Sequence, residues 1–149
     1  MDKEVLINIA RNVIGKESKA IAALTDRIGD SFVDAVEIIL KCKGRVIVTG
    51  MGKSGLIGKK IAATFNSTGT PAFFLHPAEG LHGDIGLVIQ NDVVVALSKS
   101  GDTEEVGALL RIFERLGVPI ISITGNPSSS LAEKSDIVLD VSVKSEAGS

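Results

Sequence analysis

The chain of 149 residues is 44% hydrophobic, which is enough for one sizeable core and too short for two ordinary domains. Its net charge is −2, with acidic and basic residues interleaved, so it offers no broad basic face to nucleic acid or to an anionic membrane, and any phosphate has to be held locally. Cys42 is the only cysteine, no apolar run approaches the roughly 20 residues of a membrane span, and the first twenty residues are a charged amphipathic stretch with no small-residue cleavage site, so export is not expected and the expected address is the cytoplasm.

In chain order, a short amphipathic segment at 3–14 precedes a stretch at 17–42 in which Ile21, Leu24, Ile28, Phe32, Val36 and Ile39 recur every three or four residues. That spacing predicts one long helix, so residues 1–44 read as a helical extension packed on the rest of the chain. The period then changes. Short β-branched runs at 45–49, 72–75, 92–97, 118–123 and 136–143 read as five strands, and helical patterns at 54–67, 103–116 and 129–134 lie between them. Strands alternating with helices imply right-handed crossovers and a doubly wound, five-stranded parallel α/β sheet covered on both faces, in a single domain. In such sheets ligands bind beyond the carboxyl ends of the strands.

The first strand runs into Gly50-Met-Gly-Lys-Ser-Gly55 and then a helix, so backbone N–H groups and a helix N-terminus converge where an anion can sit. The loop satisfies G-x-G-x-x-G, yet a dinucleotide site also needs an acidic residue about 20 positions on, and the second strand ends at Leu75-His76-Pro77. A P-loop would need glycine where Ile47 stands. A phosphosugar, a dinucleotide and an unliganded turn are the readings of this loop, the first fitting best. Lys53 would bring a positive charge to a ligand there, or is a solvated loop lysine. The third strand ends in Ser98-Lys-Ser-Gly-Asp-Thr-Glu-Glu105, a second turn rich in hydroxyls and donors. Hydroxyls hold phosphate without adding charge, and any one of them equally serves as a helix cap.

The two loops together resemble the sugar isomerase (SIS) family, whose phosphosugar-binding domains pair a G-x-G-x-S loop with an S-x-S-G-x-T loop at adjacent strand ends. Ser67-Thr-Gly-Thr-Pro71, His76-Pro-Ala-Glu79 and Leu81-His-Gly-Asp-Ile-Gly86 occur in order between those loops, and with them the likeness sharpens to the arabinose-5-phosphate isomerase branch, from about Val46 onward. The resemblance implies interconversion of arabinose 5-phosphate and ribulose 5-phosphate, feeding synthesis of the eight-carbon acid Kdo of lipopolysaccharides and capsules, by a dimer or tetramer that shares residues between subunits. It places Lys53, Glu105 and Glu146 in catalysis. Gly52, Ser54, Gly69, Thr70, His76, His82, Ser98, Ser100 and Thr103 become substrate contacts.

The sequence departs from that pattern where the family commonly has Asn and Glu in the second loop, here Lys99 and Asp102. It also stops at Ser149, without the following helices, a histidine thought to join the active site, and the paired CBS modules of many relatives. A truncated piece or a domain with lost activity is one expectation. A sugar-phosphate sensor that keeps the serine loops without a working base is the rival function.

Moving a proton between neighbouring sugar carbons through an enediol needs a base beside the carbon acid and a cation beside the developing oxyanion, with no cofactor required. Glu105 and Glu146 are the candidate bases and Lys53 the candidate cation. His76 and His82 fall in one seven-residue window with Glu79, so they contact sugar hydroxyls, hold a loop by hydrogen bonds, or, at His76, bind zinc or another divalent ion.

Overall fold

The computed structural model describes residues 2–147. Five parallel strands, β1 (Val46–Gly50), β2 (Ala72–Leu75), β3 (Val93–Ser98), β4 (Ile120–Thr124) and β5 (Ile137–Asp140), form one sheet in the order β2-β1-β3-β4-β5. These runs have apolar residues pointing both ways, which a strand buried on both faces requires. One face is closed by α5 (Glu104–Leu116), α4 (Pro77–Leu81) and α6 (Ser130–Glu133) over Ile47, Val94, Ala96 and Ile120. The other is closed by α2 (Asp30–Lys41) and α3 (Gly52–Ser67) over Val46, Val48, Val95 and Ile121. Phe113 of α5 is completely buried, and its truncation to Ala would cost about 3–5 kcal/mol.

The long helix expected at 17–42 is two helices. The earlier segment runs on as α1 (Lys3–Ala22), a 3-10 turn follows at Ala23–Arg27, and α2 restarts behind Gly29. Ile28 is extended, at φ −76° and ψ 100°, and the Gly29 carbonyl then accepts from Phe32 and Val33 to open the new helix. The apolar period ignored this break because Ile28 keeps its place in the spacing while its backbone has left the helix. Of the extension, α2 packs on the core through Ala35, Ile38 and Ile39, whereas α1 buries none of its residues.

The strand expected at 136–143 ends at Asp140, because Asp140 Oδ1 accepts from the backbone N–H of Ser142 at 2.8 Å and turns the chain out of the ladder. A short α4 and a 3-10 turn at Asp84–Leu87 occupy the stretch after β2 that periodicity left blank, each too brief to show a repeat.

Candidate functional site

After β1 the chain crosses through α3 to β2 on one side, and β3 lies on the other, so the sheet's topological switch falls between β1 and β3. Gly50 is in register with Leu97, and both serine loops therefore leave neighbouring strand ends. A cleft of about 890 Å³ opens there, walled by Lys53, Ser54 and Ile57 of α3, by Ser98, Lys99, Ser100 and Thr103 after β3, and by Gly125, Val141 and Val143.

Close approach shapes the first loop. A Cβ on Gly55 would lie 2.6 Å from the Gly50 carbonyl oxygen, so only glycine lets α3 start tight against the strand end. Gly52 is the first residue of that helix, and the exposed Lys53 and half-buried Ser54 stand in its first turn, where the unpaired N–H groups favour an anion.

The second loop is held from inside and from below. Ser98 is buried, its Oγ accepts from the Gly101 N–H at 3.0 Å and lies 3.3 Å from Thr103 Oγ1. Gly101 has φ +75°, and a Cβ on it would fall 1.9 Å from Ser129 Oγ. Asp102 Oδ1 accepts from the Ser130 N–H at 3.0 Å and hydroxyl at 2.9 Å, and these two bonds hold its carboxyl below the ordinary aspartate range. Thr103 is the N-cap of α5, so the hydroxyls and helix start face the same space.

Among the described residues, the cleft walls carry two lysines and no carboxylate. Glu105 is exposed in the first turn of α5, where a helix N-terminus stabilises negative charge, and it lies outside the cleft lining. Glu146 is also exposed and outside the lining, and it pairs with Lys99, a residue of the cleft wall.

The remaining expected contacts lie elsewhere. Gly69 and Thr70 precede β2 and so sit at the amino edge of the sheet, the end opposite Ser54 and Ser98. His76 follows β2 at the carboxyl edge as the N-cap of α4, with its ring edge-on to Phe74 and its Nδ1 buried with no hydrogen-bond partner among the described residues. His82 is exposed at the other end of α4. Among the described residues no group of three or more His, Cys, Asp or Glu could hold a metal ion, so an ion at His76 would need ligands from elsewhere.

Sequence reasoning missed two parts of this site. Val141 and Val143 form a wall, a period-two pair visible in the run 136–143 but read there as strand. Arg27 steadies that wall: its guanidinium donates to the Ser142 carbonyl at 2.7 Å and lies 3.6 Å from Asp140 Oδ1. Burial works against ionisation of Asp140, yet the bonds from Ser142 and the charge of Arg27 leave its carboxyl below the usual range. Nothing in the spacing of Arg27, more than a hundred residues from its partners, announces this.

The sequence profile of the SIS domain family matches residues 39–149, the span that holds the sheet and both loops. The chain belongs to the SIS domain family. Arabinose 5-phosphate isomerase KdsD of Pseudomonas aeruginosa is 56% identical over 141 residues, covering 95% of this chain and 43% of that protein. KdsD of Escherichia coli is 50% identical over 137 residues, covering 92% and 42%. Among solved structures, an Escherichia coli protein in complex with arabinose 5-phosphate superposes with a TM-score of 0.93 at 41% identity, over 99% of this chain and 78% of that one. This SIS domain thus spans less than half the length of the curated relatives it matches. Within the described residues no helix is long and apolar enough to cross a membrane.

Proposed function

We propose that the chain is the isomerase domain of an arabinose 5-phosphate isomerase, interconverting that aldose phosphate and ribulose 5-phosphate through an enediol. The observation that carries the reading is the joining of the two hydroxyl-rich loops and Lys53 in one cleft at the β1/β3 switch, in a chain 56% identical to a relative named for that reaction. A 41% identical protein of the same fold, solved with arabinose 5-phosphate, supports the same ligand class.

In this reading Ser54, Ser98, Ser100 and Thr103, with the N–H groups that open α3 and α5, take the phosphate. Lys53 stabilises the enediolate oxygen. A carboxylate moves the proton; Glu105 and Glu146 are both exposed and outside the cleft lining, and we assign the role to Glu146 because it pairs with Lys99 of the cleft wall. His76, Gly69 and Thr70 do not converge on this cleft within one chain, and we assign them to the cleft of a neighbouring subunit. Assembly is supported by α1, which leaves Val5, Leu6, Ile9, Ile14 and Ile21 exposed, more apolar surface than an isolated helix keeps in water. The product ketose phosphate suits a cytoplasmic route to the Kdo of bacterial outer carbohydrate, consistent with a lone cysteine.

The test is to incubate the chain with arabinose 5-phosphate and, separately, with arabinose, following ketose formation and thermal unfolding. Ketose from the phosphorylated sugar alone, with a higher unfolding temperature in its presence, is expected. Thermal protection without ketose would favour the silent sensor, and equal protection by both sugars would remove the serine loops as a phosphate cradle.

A further inference from the structure

The chain leaves β5 at Asp140 and runs beside the cleft, with Val141 and Val143, two residues apart, both lining it. The segment is fastened at its start, where Arg27 grips the Ser142 carbonyl and the Asp140 carboxylate. It is fastened again three residues past Val143, where Glu146 pairs with Lys99. The Lys99 end is anchored in turn, because its backbone carbonyl accepts from the Gly125 N–H at 3.1 Å, which joins the turns after β3 and β4. Between the fastenings lie only residues 143–145, too short a span to swing clear while both hold.

We propose that Lys99 is a positioning residue, tethering residues 141–147 as a strap across the mouth of the cleft and thereby presenting the Glu146 carboxylate to a bound sugar phosphate. The presentation of the carboxylate rests on the isomerase reading; the tether does not. Lys99 links wall and strap, since it is a residue of the cleft wall and its ammonium holds the only carboxylate that any cleft-wall residue pairs with among the described residues. Both partners are well exposed, at 69% and 62% of their side-chain surface, so the pair is weak and salt-sensitive. A strap held this way opens readily for a ligand to enter and closes again behind it, whereas the Arg27 fastening, which also engages backbone, stays.

The experiment follows trypsin cleavage after the exposed Lys144, inside the strap, by mass spectrometry, alongside steady-state kinetics with arabinose 5-phosphate. Lys99→Met is expected to speed cleavage at Lys144 severalfold and to lower kcat by about tenfold or more with KM within about twofold, the pattern of a misplaced reacting group. Lys99→Arg should keep both properties near those of the original chain, and Glu146→Gln should speed cleavage as much as Lys99→Met, with no further increase in the double variant. Raised KM with unchanged kcat in Lys99→Met would make Lys99 a phosphate ligand and overturn the proposal. So would unchanged cleavage at Lys144 in a variant whose circular dichroism shows it folded. Accelerated cleavage in a chain that turns over no arabinose 5-phosphate would keep the tether and overturn the isomerase reading.

Discussion

Asp102 holds Ser130 through a single oxygen, Oδ1, which receives both the backbone N–H at 3.0 Å and the hydroxyl at 2.9 Å. The pair ties the loop after β3 to the start of α6, and so steadies one side of the cleft from a position outside its lining.

Ser130 donates best to an ionised acceptor, so folding lowers the Asp102 pKa from its ordinary 3.8. The stability this gives is complete above the unfolded value and is lost as pH falls through the lowered folded value. The urea midpoint of the original chain should exceed that of Asp102→Ala by a constant amount from neutral pH to about pH 5, and the gap should close below about pH 4. A gap that does not change with pH would show that charge at Asp102 is irrelevant.

Gly101→Ala combines a left-handed backbone with a Cβ 1.9 Å from Ser129 Oγ. A loss of about 2–4 kcal/mol in stability is expected, the range of strained or overpacked sites. Denaturant titration measures it, and thermal protection by arabinose 5-phosphate should vanish with it, since Ser98 is bonded to the same residue.

Lys53→Ala and Glu146→Gln should each reduce turnover of arabinose 5-phosphate by about 100-fold, a size typical of losing an oxyanion or acid–base group. Glu105→Gln should do less, because among the described residues Glu146 and not Glu105 pairs with a residue of the cleft wall. Greater loss at Glu105 than at Glu146 would exchange their roles.

Removing residues 1–16 takes most of a helix that buries nothing in its own chain. Light scattering at micromolar concentration should show a dimer or tetramer for the full chain and weakened assembly after the deletion, with the unfolding temperature little changed. A fully active monomer would defeat both the assembly and the shared use of His76.

The sheet was legible because its chemistry is local: Val46, Ile47 and Val48 are β-branched with glycines behind them, and Ile120 and Ile121 repeat the pattern. The cleft was half legible. Ser54, Ser98, Ser100 and Thr103 lie on loops whose residue types announce an anion site, and the structure puts all four on one wall system. What stayed hidden depends on where the chain returns to: Val141 and Val143 look like more strand until Asp140 turns the backbone, and Arg27 shows its role only beside Ser142. Glu105 and Glu146 share a residue type and are both exposed, but one stands at a helix start and the other pairs with Lys99 of the cleft wall, a difference set by where the chain returns and absent from composition.

If this cleft moves a proton between neighbouring carbons of a phosphorylated sugar through an enediol, the base that carries the proton exchanges at least part of it with solvent on the way. The most direct measurement is nuclear magnetic resonance of arabinose 5-phosphate with the chain in deuterium oxide. Appearance of ribulose 5-phosphate carrying deuterium at C1, greatly slowed in Lys53→Ala, is the result expected of an enediol route. An unchanged C2 proton and no ketose, from a folded chain that still binds the sugar phosphate, would contradict it.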